Sequence, residues 1–375
     1  MFVGAFTEPR CPDTTHCDQR VAWHDSCSMS GMRWIVGALV AGCSTEPAGD
    51  TRYLEDRGFR REALVASLVE PSNDYSQLRL ARYGVDNEWD ALPEWNPPVA
   101  IAGESAVPLA LDGDLAELGE QAFYRYPVQL WASEPPGLWS DATRGAGIVH
   151  VELATRTYTA ASCATCHATI RDGALVTGLA NASLDLGWGP GRLDVTTIDG
   201  HEPVRIPDLR PVRWLTHLHA DATVRQPDIT ALAIRIETLL ITSHAEAVRP
   251  PRVIALALAT YVWSLALEDA PAPAPAQFIS ACGGCHAGDG LTGLPVPLAV
   301  VGTDPTVGLS RDRGTGMYRV PSLRGVRDRT LLLHDGSVDS LEALLDPTRT
   351  TAGHYFGTSL SGDDRAAIVA YLKTL

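Results

Sequence analysis

Two five-residue segments carry the chemistry of this sequence: Cys163-Ala164-Thr165-Cys166-His167 and Cys282-Gly283-Gly284-Cys285-His286. Two thiols three positions apart can add to the two vinyl groups of a haem. The adjoining histidine then stands where it can ligate the iron. With eight Cys and 11 His in 375 residues, chance placement gives about 0.005 such motifs, so two of them predict two covalently bound haem c groups. A thioredoxin-type pair would need a βαβ context that the sequence lacks. A zinc site made from both pairs would join cysteines far beyond zinc-ribbon spacing.

The two segments sit in what reads as a tandem duplication. Arg205-Ile206-Pro207-Asp208-Leu209-Arg210 matches Arg319-Val320-Pro321-Ser322-Leu323-Arg324. His219 follows Pro207 and His334 follows Pro321 at nearly the same interval, and His244 and His354 stand equally far ahead of Tyr261 and Tyr371. Residues 269–276, Asp-Ala-Pro-Ala-Pro-Ala-Pro-Ala, form an extended, semi-rigid spacer that cannot be helix. The expected organisation is therefore a signal over 1–43, an N-terminal extension over 44–114, one haem unit over 115–268, the linker over 269–276 and a second unit over 277–375.

The ligand opposite each proximal histidine decides between an electron carrier and an enzyme. Beyond Cys43 the only methionine is Met317 and the only lysine is Lys373. In small c-type cytochromes the sixth ligand comes from the loop before the last helix, the place of His244 and His354. For the second iron Met317 and His334 are the alternatives to His354, with an open position remaining. For the first, His219, His217 and His201 are the alternatives to His244, again with an open position remaining. Histidine on both sides of an iron saturates it and sets a lower potential than a His/Met pair.

Helices must hold these residues. Ser361 with Asp363 and Asp364 reads as an N-cap and an acidic first turn, after which Ile368, Tyr371, Leu372 and Leu375 mark one apolar face. Pro250 and Pro251 fit the start of the matching helix, with Ile254, Leu258, Tyr261 and Leu265 on its face. Glu117–Leu130 reads as a helix ahead of the first motif, and Phe59–Val69 and Tyr75–Tyr83 as two more. Little strand is expected. The predicted fold is mostly α, two tandem class-I-like cytochrome c domains with long Gly/Pro-rich loops and an N-terminal extension.

Cys11, Cys17, Cys27 and Cys43 are the cysteines left over. Residues 32–43 offer one positive charge, a short apolar run and small residues before Cys43, the layout of an export signal too short to span a membrane. Val40-Ala41-Gly42-Cys43 is similar to a bacterial lipobox, which predicts a periplasmic protein anchored by a lipid on Cys43. Residues 1–31 would then be a misassigned start, with Met29 or Met32 as initiator. A formal charge of −15 offers no basic stripe for nucleic acid and would favour a basic redox partner protein.

Leu118-Gly119-Glu120-Gln121-Ala122-Phe123-Tyr124, Arg319–Val326 and His334-Asp335-Gly336-Ser337-Val338 resemble segments of the bacterial diheme cytochrome c peroxidase superfamily. The resemblance covers about residues 115–375. It implies two haem domains facing each other, with electrons passing between the haems. In that family a histidine follows the first motif closely, whereas here the next after His167 is His201, and Trp131–Thr159 is an insert. The expected function is diheme electron transfer outside the cytoplasm; the alternative is a peroxidase or related oxidoreductase with one open or displaceable haem site.

Overall fold

The computed structural model describes residues 91–131, 146–154, 156–182, 184, 205–222, 224–226, 228–309 and 315–375. All of them belong to the compact unit Thr45–Leu375. The unit Met1–Ser44, with the export signal and Cys43, lies outside the described residues, as do Phe59–Val69, Tyr75–Tyr83 and His201. Among the described residues no helix is long and apolar enough to cross a membrane.

Helix α1, Leu115–Arg125, starts on Asp114, whose carboxylate accepts the N–H groups of Ala116 and Glu117 at 2.7 and 3.2 Å. Glu117 in its first turn and Arg125 in its last suit the helix dipole. It stops short of the expected Leu130 because Pro127 cannot continue it, and the chain turns into strand β2, Gln129–Trp131.

The four-stranded antiparallel sheet differs from the expectation of little strand. Its order is β1-β3-β4-β2, with β1 at Val99–Ala100, β3 at Ile148–Leu153 and β4 at Arg156–Ala161. The segment taken as an insert thus supplies two strands, paired at Val151↔Tyr158, with Val149, Val151 and Ala160 fully buried. Alternation along Ile148–Leu153 and the β-branched Thr157 and Thr159 explain it. β4 runs through Ser162 into helix α2, Cys163–His167, so the sheet carries the first motif. Gly147 packs under that junction at φ +78°, where a Cβ would lie 2.5 Å from both Ser162 Oγ and Thr165 N.

After α2 come the hairpin β5–β6 (Ala168–Arg171, Ala174–Thr177) and the ribbon β7–β8 (His217–Leu218, Val224–Arg225). Helix α3, Ile229–Ser243, is capped by Asp228; helix α4, Arg252–Ser264, follows Pro250-Pro251 as the sequence predicts. α4 buries Ile254, Leu256 and Leu258 completely, each worth about 1.5–3 kcal/mol. α1 crosses it so closely that a Cβ on Gly119 would lie 2.1 Å from the Ala257 carbonyl oxygen.

The second half holds α5 (Ala276–Ala281), β9 (Val296–Pro297) paired with β10 (Met317–Tyr318), α6 (Leu298–Val301), α7 (Leu341–Leu344) and α8 (Gly362–Leu372). Ser361 caps α8 by accepting from Asp364 N. One apolar core runs from Leu109 to Trp263 and another from Phe278 to Leu375, on either side of the Pro/Ala linker.

Candidate functional site

Both Cys-x-x-Cys-His segments open on one cavity of about 780 Å³. Leu209, Val212, Leu232 and Leu258 line it in the first unit, and Phe278, Val326, Leu341 and Ile368 in the second. The four cysteines form no disulfide. Burial pushes the Cys163 and Cys166 thiols up to about 12, so neither is a thiolate of the kind a redox-exchange pair needs. Among the described residues no three His, Cys, Asp or Glu side chains gather into a metal cage.

His167 is set by the repeated Arg-x-Pro segment. Its Nδ1 lies 3.0 Å from the Pro207 carbonyl oxygen. A carbonyl only accepts, so Nδ1 carries the proton and Nε2 keeps its lone pair. Burial depresses this imidazole to about 4, which keeps it neutral. His286 repeats the arrangement. Its Nδ1 is 3.1 Å from the Leu291 carbonyl oxygen, burial takes it to about 4, and the carbonyl of Pro321 opposes that shift. Each motif therefore presents one neutral imidazole with Nε2 available as a ligand.

The second unit places a further imidazole across from the first. The rings of His354 and His286 are 6.5 Å apart between centroids. One metal ion between two ring nitrogens, at about 2.0–2.1 Å from each, needs close to that separation once about 1.2 Å from nitrogen to ring centre is added on both sides. The loop is held in place. His354 N–H donates to Val301 O at 2.6 Å, the Arg349 guanidinium donates to the carbonyls of Thr351, Gly353 and His354, and Gly353 packs where a Cβ would lie 2.2 Å from Thr303 N. His354 Nδ1 is buried with no hydrogen-bond partner. These residues fit a haem whose iron is ligated by His286 and His354.

The first unit differs from its repeat. His244 is the C-cap of α3, its Nε2 is 3.1 Å from the Pro127 carbonyl oxygen, and its ring meets Trp95 edge-on at 4.6 Å. It is not on the cavity wall. The cause is length: α3 runs unbroken to Ser243, where the second unit has only the four-residue α7 and a loop. Among the described residues His219 is the other histidine that the first unit brings to the cavity besides His167, and it adopts φ +64°. Its Nε2 accepts from Arg235 Nε, which engages the lone pair a metal would need.

Of the remaining candidates, His334 lines the cavity but stacks on Tyr318 at 4.5 Å. His217 pairs with Thr216 Oγ1 at 3.1 Å, and neither it nor Met317 reaches the cavity wall. Sequence reasoning passed over Arg205, Arg235, Arg319 and Arg329, all on that wall. The duplicated Arg-x-Pro was a signal for Arg205 and Arg319 alone.

No protein family model matches this chain, and no curated protein matches it. Among solved structures, a MauG-like protein associated with microbial copper homeostasis is similar at 16% identity and a TM-score of 0.40, over 76% of this chain and 94% of that one. The assignment of the site therefore rests on its own residues.

Proposed function

We propose that this chain is a diheme c-type cytochrome that moves electrons between two covalently held haems. Cys163 and Cys166 attach the first and Cys282 and Cys285 the second; His167 and His286 are the proximal ligands and His354 is the sixth ligand of the second iron. The observation that carries this reading is the single cavity onto which both motifs open, with His286 and His354 set 6.5 Å apart across it. Haem c at these positions supplies one-electron chemistry and, where a coordination position is free, a site for peroxide or another small ligand. The protein orients the imidazoles through the Pro207 and Leu291 carbonyls and keeps water out with aliphatic walls. Kinship with the diheme cytochrome c peroxidase superfamily is part of the proposal, on the motifs quoted above. So are a periplasmic location, a lipid on Cys43 and a basic partner protein.

A second reading, a peroxidase-type oxidoreductase, is favoured by the first site alone. His244 is turned to Trp95, and His219 is taken by Arg235. Mass spectrometry of protein made with haem-maturation machinery should show two haem additions that survive acid–acetone extraction. Zinc, or haem that extracts freely, would overturn the diheme reading. Electron paramagnetic resonance of the oxidised protein separates the two functions: two low-spin signals support pure electron transfer, and one high-spin signal supports the oxidoreductase.

A further inference from the structure

Where the two units meet, the cavity wall changes from aliphatic to cationic. Arg205 and Arg319 are the matched arginines of the duplicated segments, and each is anchored on the opposite unit. Arg205 donates its backbone N–H to His334 O at 2.9 Å and its Nε to Leu333 O at 3.2 Å. Arg319 donates its backbone N–H to Ala220 O at 2.9 Å. Both side chains line the cavity beside Arg329.

Asp221, buried on the same wall, opposes the burial shift of Arg319, and the other nearby carboxylates are committed elsewhere. Asp208 and Asp328 each hold Arg210 at 2.7 Å, and Asp208 is also 3.7 Å from Arg329. Among the described residues neither Arg205 nor Arg319 is in an ion pair, and Arg319 Nε is buried with no acceptor. Burial first, then neighbouring guanidinium groups, depress Arg205 to about 9 and Arg319 to about 10, which leaves both charged near neutral pH. Two cations held at a largely dry junction call for an anion.

We propose, resting on the diheme reading above, that Arg205 and Arg319 bind the haem carboxylates crosswise, Arg319 holding the cofactor of the first unit and Arg205 that of the second. A haem is an apolar disc with two carboxylates on one edge, and this cavity wall combines aliphatic side chains of both units with these arginines. The direction of each arginine supports the crossing. Arg205 Nε is on the Leu333 carbonyl of the second unit. Arg319 is tied to the first unit at Ala220, the neighbour of His219 on the cavity wall. Each unit's cofactor would then be held partly by the other unit.

A cation beside a haem carboxylate disfavours the ferric state, so removing it lowers the potential of that haem. The test is spectropotentiometric titration of the full chain carrying both haems, for Arg319→Gln and Arg205→Gln, with Arg→Lys at each position as the charge-preserving control. His354→Gly identifies which transition belongs to the second haem. Arg319→Gln should lower the first haem's midpoint at least tenfold in its oxidation equilibrium, 59 mV for a one-electron couple, and Arg205→Gln should do the same to the second. The lysine variants should stay within about threefold of the parent. Unshifted midpoints in both glutamine variants overturn the proposal, and a shift in the variant's own unit overturns the crossing. Inorganic phosphate is the probe for a free oxyanion: midpoints that move with phosphate in the parent and not in Arg319→Gln would assign the arginines to that anion instead. Loss of the covalent haem bands in the parent would sink the diheme reading itself, an outcome distinct from intact bands with unshifted midpoints.

Discussion

The backbone N–H of Arg205 donates to the carbonyl oxygen of His334 at 2.9 Å, and the repeat of Arg205, Arg319, donates to Ala220, the neighbour of His219, at the same distance. The two units thus dock through the same segment used twice, as an isologous pair does. Two residues further on, the Pro207 carbonyl accepts from His167 Nδ1 at 3.0 Å, whereas His286 Nδ1 meets the Leu291 carbonyl at 3.1 Å. In the first unit one short extended segment therefore both orients His167 and ties that unit to the other.

The tie is reinforced by a buried ion network, and removing its centre should be costly. Asp208, with its side chain 1% exposed, binds Arg210 at 2.7 Å and lies 3.7 Å from Arg329. Asp208→Asn leaves two guanidinium groups undercompensated, and a loss of about 3–5 kcal/mol is expected. Urea unfolding monitored by circular dichroism measures it. A loss under about 1 kcal/mol would mean the network contributes little.

The two Cys-x-x-Cys-His segments, the duplicated Arg-x-Pro, the Ser361 cap and the start of α4 after Pro250-Pro251 were all legible in the sequence, because each is a local signal. The sheet was not. Ile148–Leu153 and Arg156–Ala161 become strands only by pairing with each other and with Val99–Ala100 and Gln129–Trp131. The direction of His244 was hidden for another reason. Its distance from the closing helix equals that of His354, but residue counts do not report that α3 persists to Ser243 and turns the ring toward Trp95. The role of Pro207 was equally hidden, because it acts through a carbonyl that every residue owns.

The crossing of α1 and α4 gives a second stability test. Gly119 sits against Ala257 O and Tyr261 Cβ, at 2.1 and 2.7 Å from where a Cβ would lie. Gly119→Val must push the helices apart beside the first motif, costing about 1–3 kcal/mol. Thermal unfolding should shift down by several degrees. An unchanged midpoint would show that the helices separate freely at this point.

Glu237 predicts a pH dependence. It is fully buried on α3, 3.5 Å from Arg252, and burial raises its carboxyl to about 7 despite the opposing charges of Arg252 and Arg249. The folded protein therefore holds this proton at pH values where the unfolded chain has released it. Its contribution is full below the ordinary value of 4.5 and declines as pH rises toward about 7. At 1.36 kcal/mol per unit the decline is at most ~3 kcal/mol. Urea unfolding at pH 5 and pH 8 should show the parent less stable at pH 8, with the difference reduced in Glu237→Gln. Equal differences in parent and variant would assign the effect to other groups.

The two repeated histidines should behave oppositely. His354 faces His286 at 6.5 Å between ring centroids, on a loop held by Arg349 and by the close packing of Gly353. His354→Gly should leave the second iron five-coordinate or water-bound, raise its potential and admit cyanide, while the proximal side stays set by the Leu291 carbonyl. His244→Gly removes a ring held by Trp95 and Pro127 away from the cavity, so the spectra of both haems should survive it. Its expected cost is about 1–2 kcal/mol of stability, from one hydrogen bond and one aromatic contact. Electron paramagnetic resonance on the two variants and on Met317→Ala reads the outcome directly. If His354→Gly stays low-spin while Met317→Ala turns high-spin, the sixth ligand is a thioether and the loop of His354 has another task. If His244→Gly turns the first iron high-spin, α3 must unwind at its end when haem is bound, and the equal spacing of the two histidines has a functional cause after all.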